Sequence, residues 1–139
     1  MANMDAELIF CEGFDPDDMT ADDDGVYVGA SNVLEVGCVG PAVTPLLVKV
    51  MLTEPLTSGA IDEIALLSGE DDQMANAVEE MKVSAPASVS QTAGPATIAQ
   101  FYLPIKLANK FIALEFRGAT QPVGGAVTAF LGDAPRFHQ

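Results

Sequence analysis

The sequence predicts an all-β fold, an antiparallel, jelly-roll-like β-sandwich with long loops and extended terminal segments. Short apolar runs recur roughly every 8–15 residues, and glycine or proline separates them. Several of these runs alternate between apolar and polar residues, which is typical of half-buried strands. No segment between them shows the apolar spacing of a good amphipathic helix.

The first half of the chain begins with an expected strand at 6–11. Residues 12–25 follow, with six aspartates packed around Pro16. Since so many like charges cannot be buried together, this stretch predicts a solvated loop or arm. Further strands are expected at 26–28, 32–36, 46–52 and 61–67. In the strand at 46–52, alternation places Leu47, Lys49 and Met51 on one face and Val48 and Val50 on the other.

The middle of the chain allows more than one interpretation. Residues 68–80 fit one or two helical turns or a long connection between two strands. Residues 84–92 are small, polar and compatible with β-structure. Because Pro86 lies within this segment and Pro95 follows it, we expect an edge strand or an extended crossover.

The last third gives the clearest strands, at 96–105, 111–117 and 126–131. In the middle one, alternation directs Ile112, Leu114 and Phe116 to one face and Ala113, Glu115 and Arg117 to the other. Core packing is expected of the strand aromatics, which are Phe101, Tyr102, Phe111, Phe116 and Phe130. The whole chain, 1–139, is expected to form a single domain: an N-terminal strand plus acidic loop (1–25), the sandwich core (26–135) and a tail (136–139).

The charge balance limits the partners. Twenty acidic and six basic residues give a formal charge of −14, which opposes binding to nucleic acid and to anionic membranes. No apolar run is long enough to span a bilayer, and Asp5 and Glu7 stand where a signal peptide carries basic residues. Basic protein surfaces, cations and further copies of the chain are the expected partners. Cys11 and Cys38 are expected to be buried free thiols, as in a protein made in reducing cytoplasm.

The residues for catalysis or cofactor binding are scarce. His138, the only histidine, lies next to the C-terminus, so a hydrolytic triad is not expected and we predict a protein that is not an enzyme. No phosphate-binding glycine loop occurs, and no cofactor is predicted. Asp22, Asp24 and Gly25 match part of a calcium loop, but Thr20 and Ser31 occupy its first and last ligand positions. We therefore predict no metal site.

Residues 101–135 carry a recognisable pattern, FYLPIKLANKFIALEFRGATQPVGGAVTAFLGDAP. An extended strand ends in Leu103-Pro104, a strand at 111–116 follows a short turn, and Gly124-Gly125 leads into a last strand at 127–131. Earlier in the chain, the runs SNVLEVG and PLLVKV follow the first strand. This order resembles the small cement, or decoration, proteins of tailed-phage capsids. The acidic loop at 15–24 and the insert near 68–82 depart from that pattern.

The resemblance implies a structural virion protein on the outer surface of the capsid, assembled in host cytoplasm. Such a protein bridges neighbouring copies of the major capsid protein and forms homo-oligomers, a dimer being favoured and a trimer possible. Terminal segments would add a strand to a neighbour's sheet, and the acidic loop would either face basic capsid patches or serve solubility. The candidate interface residues are Leu8, Ile9, Phe10, Asp15, Asp17, Asp18, Asp22, Asp23, Asp24, Arg136 and Phe137.

Two other functions fit the same architecture. A glycan- or receptor-binding module of a phage tail or cell surface is the main alternative, although the sequence has no tryptophan and few aromatics outside the strands. A cupin-type enzyme would require two or three histidines facing into the barrel, and this chain has one.

Overall fold

The computed structural model describes residues 9–35, 46–104 and 106–133. The predictions for Leu8, Cys38, Arg136, Phe137 and His138 lie outside these residues. The strands are β1 (Ile9–Phe14), β2 (Thr20–Ala21), β3 (Tyr27–Ala30), β4 (Leu34–Glu35), β5 (Leu46–Glu54), β6 (Glu63–Gly69), β7 (Val78–Ser84), β8 (Ala96–Tyr102), β9 (Phe111–Gly118) and β10 (Ala126–Asp133). A 3₁₀ turn spans Pro16–Asp18, and one helix, α1, spans Ser88–Ala93.

Two antiparallel sheets form the sandwich. Sheet A has the order β1-β10-β5-β8, and sheet B has the order β2-β3-β9-β6-β7. β4 also pairs with β9, so β3 and β4 are two halves of one interrupted strand. The first strand pairs with the last, and the chain crosses repeatedly between the sheets, which is the strand order of a jelly roll. The predicted fold class is confirmed.

The core lies between the two sheets and follows the predicted alternation. Val48 and Val50 of β5 point inward and are fully buried, as are Ile112, Leu114 and Phe116 of β9. The inward residues of β6, β8 and β10 complete the same apolar cluster, which includes Ile64, Leu66, Ile98, Phe101, Val127, Ala129 and Leu131. Burying these side chains from both sheets is the main stabilising contribution to the fold.

The segment at 84–92 crosses from sheet B to sheet A, as one of the two expectations has it, but it contains a helix and is not the expected extended strand. β7 ends at Ser84, and a short helix, α1, follows. The Gln91 side chain explains the difference, because its amide donates to the main-chain oxygens of Ile61 and Pro86 and its Oε1 accepts from the Ile61 N–H. Gln91 is fully buried, so these bonds supply the partners that a buried amide requires.

The segment at 68–80 is a connection between two strands, followed by the start of β7. Asp71 Oδ1 accepts hydrogen bonds from the main-chain N–H groups of Gln73 and Ala75, which closes the turn. Beyond it, Glu80 Oε2 accepts from the buried Ser68 hydroxyl at 2.5 Å and from the Ala108 N–H at 2.8 Å. Glu80, in β7, therefore connects the loop before β9 to the end of β6.

Candidate binding surfaces

The acidic segment, residues 15–24, is attached to the sandwich by side chains that are buried in the core. Met19 is 1% exposed and belongs to the core. Pro16, three residues earlier, is also buried. Gly29 of β3 leaves the necessary room, because a Cβ there would lie 2.7 Å from side-chain atoms of both Met19 and Phe14. Phe14 in turn packs on Phe116, with 5.2 Å between ring centroids. The segment is thus attached to the sandwich and is not a free arm, while its aspartates are exposed to solvent as expected.

Hydrogen bonds attach the same segment to the turn between β9 and β10. The Gln121 side chain donates to the Pro16 oxygen at 3.0 Å, and the Gly124 N–H donates to Asp17 Oδ1 at 3.1 Å. β2 pairs with β3 through Thr20 and Ala21. These contacts hold the backbone of the acidic segment against β3 and the turn between β9 and β10.

The six aspartates of the segment are all exposed, but they divide into two groups. Asp15 and Asp22 accept hydrogen bonds from nearby main-chain N–H groups and so shape the backbone, and Asp17 holds Gly124. No hydrogen bond or ion pair is recorded for the carboxylates of Asp18, Asp23 and Asp24 within the described residues. The second group can therefore meet a partner without loss of internal contacts.

The proposed interface residues of β1 have different positions. Phe10 is fully buried in the core, so its assignment to a partner surface is wrong. Its side chain points inward, and the ring fills space between the two sheets. Ile9 is half-buried and lies opposite Phe130 of β10. Among the described residues β1 is an edge strand of sheet A, and its Phe10 oxygen accepts from the Asn32 N–H at 2.9 Å, so the addition of a partner strand would have to replace this bond.

The outer face of sheet B is charged. Arg117 of β9 contacts three carboxylates, with distances of 2.7 Å to Glu115, 2.8 Å to Glu79 and 3.5 Å to Glu63. Lys82 of β7 lies 3.7 Å from Glu63. Burial alone would lower the pKa of Arg117, but the hydrogen bonds and charges of Glu115 and Glu79 outweigh it, and the pKa is raised.

An open groove of about 480 Å³ runs beside this ion-pair cluster. Its acidic lining residues include Asp22 and Asp62, and Val26 and Val28 supply apolar wall. Asp62 Oδ2 accepts from the Ala119 N–H at 2.7 Å, so two of the residues that line the groove hold each other in place. Among the described residues, no group of three or more histidine, cysteine, aspartate or glutamate side chains is placed to hold a metal ion. The groove can attract basic groups by charge.

The outer face of sheet A has a different character. Leu47, Lys49 and Met51 of β5 and Phe130 of β10 lie on this side of the sheet, as the alternation in β5 predicts. Leu47 is nevertheless buried there, and the other three are half-buried. Tyr102 of β8, opposite Leu47, is 56% exposed, so the expectation that it packs in the core is wrong. The strand's pleat turns Phe101 inward and Tyr102 outward.

No protein-family model matches this sequence, and no curated protein matches it. Across the part of the chain that the structure describes, no helix is long and apolar enough to cross a membrane.

The contacts that join distant strands could not be predicted from the sequence. Glu115 and Arg117 were placed on one face by alternation, but Glu63 and Glu79 come from β6 and β7, and only the strand register brings them to Arg117. Met19 was also missed. An apolar residue within a run of aspartates is a signal that could have identified it as an anchor.

Proposed function

We propose that this protein is a capsid cement protein, which binds the outer surface of a phage head and bridges neighbouring major capsid subunits. The observation that carries the proposal is the anchored acidic segment, whose ordered backbone carries the exposed Asp18, Asp23 and Asp24 on a jelly-roll scaffold. The resemblance of residues 101–135 to capsid decoration proteins supplies the class of partner.

The proposed mechanism is electrostatic docking followed by bridging. Because the backbone of the acidic segment is already ordered, it loses little conformational entropy when a basic surface meets its carboxylates. Opposite charges also speed the encounter and select the correct orientation. A copy that contacts two capsid subunits adds contacts that must break together before the shell can expand, and many copies multiply this effect.

The test is co-sedimentation of the purified protein with undecorated shells of its own phage. We expect saturable binding at a fixed ratio of copies to capsid subunits, and weaker binding at high salt because screening reduces the attraction. The variant Asp23→Asn/Asp24→Asn removes two charges and no recorded side-chain contact. We expect it to bind shells roughly 3–10-fold more weakly at low salt, at about 0.3–0.7 kcal/mol per charge.

The matched control is Glu54→Gln/Asp72→Asn, which removes two exposed carboxylates outside the acidic segment. This variant should bind shells as the original protein does. Equal weakening of both variants would show that total charge matters and the acidic segment does not. Absence of binding to shells in any salt would refute the cement proposal.

The second candidate is a glycan- or receptor-binding module, and the exposed Tyr102 ring is the observation that favours it. An exposed aromatic ring is the kind of group on which sugars stack. Tyr102→Ala would abolish glycan binding if this function were correct. A glycan array without a hit, together with shell binding, would leave the cement proposal alone.

A further inference from the structure

One end of the sandwich carries loops without charge. These loops join β5 to β6, β7 to β8 and β9 to β10, and their residues 55–60, 85–95 and 119–125 form what we call the neutral end. The neutral end contains no charged residue, although 19% of the residues in the whole chain are charged. At the opposite end, the connection at 70–77 between β6 and β7 has three acidic residues.

Hydrogen bonds join the three loops of the neutral end to one another. The Thr57 N–H donates to the Val123 oxygen at 2.7 Å, and the Val123 N–H donates to the Ser58 oxygen at 2.9 Å. The Ser88 hydroxyl donates to the Gly59 oxygen at 3.0 Å. Because these contacts already fix the loops, a partner that binds there has little loop ordering to impose.

The neutral end exposes two valines. Val89 of α1 is 73% exposed, more than any other large hydrophobic side chain of the described residues, and Val123 is 37% exposed. Around them, the exposed residues are serine, threonine, alanine and proline. A single exposed valine is common on protein surfaces. Two of them in a region without charge match the centre of a protein interface, from which charged residues are depleted.

Acidic residues border the neutral end on one side. Asp17 Oδ1 accepts from the Gly124 N–H at 3.1 Å, and Asp62 Oδ2 accepts from the Ala119 N–H at 2.7 Å. Protein interfaces combine a centre poor in charge with a polar border in the same way. Since this border is acidic, the complementary surface carries lysine or arginine at the matching positions.

We infer that the neutral end is the surface by which this protein seats on the capsid protein, over an uncharged patch bordered by basic residues. The inference rests on the proposed function and adds the contact that holds the protein in place after electrostatic docking. Charge favours the capsid protein over a second copy as the occupant. With twenty acidic and six basic residues, a second copy would bring more acid to a border that is already acidic.

The first measurement is binding to undecorated shells as a function of salt. In about 1 M NaCl the Debye length is about 3 Å, so the attraction between carboxylates and basic groups is largely screened. Contact between apolar groups does not depend on this attraction. We expect binding to weaken as salt is added and then to level off at a measurable affinity.

The test variant is Val89→Arg, and the matched control is Val78→Arg. Val78 is also an exposed valine, but it begins β7 near the opposite end. Both changes add one positive charge. In about 1 M NaCl we expect Val89→Arg to bind shells roughly tenfold more weakly, because it places a hydrated cation in the centre of the contact, and Val78→Arg to bind within about twofold of the original protein. Circular dichroism would verify that both variants are folded.

Amide hydrogen exchange of the unaltered protein gives a second test that needs no variant. We expect shell binding to slow exchange in residues 87–93 and 119–125, because the contact restricts their opening and their access to water. Residues 70–77 at the opposite end should exchange as in the free protein.

Three results would overturn this inference alone, if the original protein sediments with shells. They are complete loss of binding in about 1 M NaCl, equal binding by the two valine variants, and exchange in 87–93 that shells leave unchanged. Slower exchange there at rising protein concentration without shells would show that a second copy is the occupant, and would overturn the choice of partner. An original protein that binds no shells in any salt would reject the cement proposal, and the inference with it.

Discussion

Cys11 shows how the environment of a single residue sets its chemistry. Its thiol is 6% exposed, and its Sγ donates weakly to the Val127 oxygen at 3.6 Å. Burial raises the pKa of the Cys11 thiol to about 11, against a small opposing effect of a backbone hydrogen bond. The reactive thiolate is therefore scarce at neutral pH, and the group behaves as a small apolar side chain. The prediction of a buried free thiol is confirmed for Cys11.

We predict that Cys11 resists alkylation in the folded protein. In a Cys38→Ser variant, where Cys11 is the only thiol, labelling at pH 8 should be at least 100-fold slower in buffer than in urea, because the raised pKa and the burial act together. Mass spectrometry of the labelled fraction over time measures this rate. Rapid labelling without denaturant would contradict the described burial of Cys11.

The same thiol gives stability a pH dependence with a definite sign. The folded state keeps the proton up to about pH 11, whereas an unfolded thiol loses it near its ordinary pKa. Raising the pH between these values therefore favours the unfolded chain. In the same variant, the free energy of unfolding should decrease through this interval.

At the scale of elements, the acidic segment depends on a glycine in a neighbouring strand. Gly29 faces Phe116 across β3 and β9, and its missing side chain admits Met19 and Phe14. These two side chains attach the acidic segment and the end of β1 to the inner face of sheet B. Local backbone contacts alone would leave ten residues with six like charges poorly ordered.

We predict that Gly29→Ala destabilises the protein by about 1–3 kcal/mol, because the added methyl group overlaps Met19 and Phe14 in a packed core. Urea denaturation measures the loss, and amide hydrogen exchange should become faster in residues 15–24. The control is Gly94→Ala. Gly94 has an extended backbone and no atom near the position of a Cβ, so this change should be nearly neutral.

The outcome that would contradict the anchoring role is a Gly29→Ala protein that loses stability while exchange in residues 15–24 stays unchanged. In that case the packing of Met19 and Phe14 would not be what orders the segment. The hydrogen bonds of Gln121 and Gly124 and the pairing of β2 with β3 would hold it.

At the scale of the whole molecule, net charge opposes the compact state. Twenty acidic residues face six basic ones, and three of the six acidic side chains at 15–24 have no recorded partner. Compact folding brings these charges closer together than in the unfolded chain, so self-repulsion costs stability at low ionic strength. Salt bridges such as that between Lys82 and Glu63 offset little of this, since solvent reaches both side chains, which are 53% and 36% exposed.

We predict that the thermal midpoint of unfolding rises by several degrees between low salt and about 0.2 M NaCl, because screening weakens the repulsion. The variant Asp23→Asn/Asp24→Asn should unfold at a higher temperature than the original protein in low salt, and the difference should vanish in high salt. Scanning calorimetry at one low protein concentration excludes the effect of self-association. A midpoint that falls with added salt would contradict the prediction.

Much of the fold could be predicted because alternation is a local signal. The pattern of a single strand placed Val48 and Val50 together on one face, and likewise Ile112, Leu114 and Phe116, and these are the faces that the sandwich buries. The helix α1 could not be predicted, because the bonds of Gln91 to Ile61 and Pro86 hold it in place. Tyr102 was misplaced since alternation alone does not tell which face of a strand is buried.

The sequence by itself determined the all-β class, the alternating faces of β5 and β9 and the excess of acid, because each depends on composition or on spacing within one strand. Only the tertiary structure decided which strands pair, and with them the Arg117 cluster and the burial of Met19 and Phe10. These features join residues far apart in the chain. Their free energy comes from packing and register between strands, which no single segment encodes.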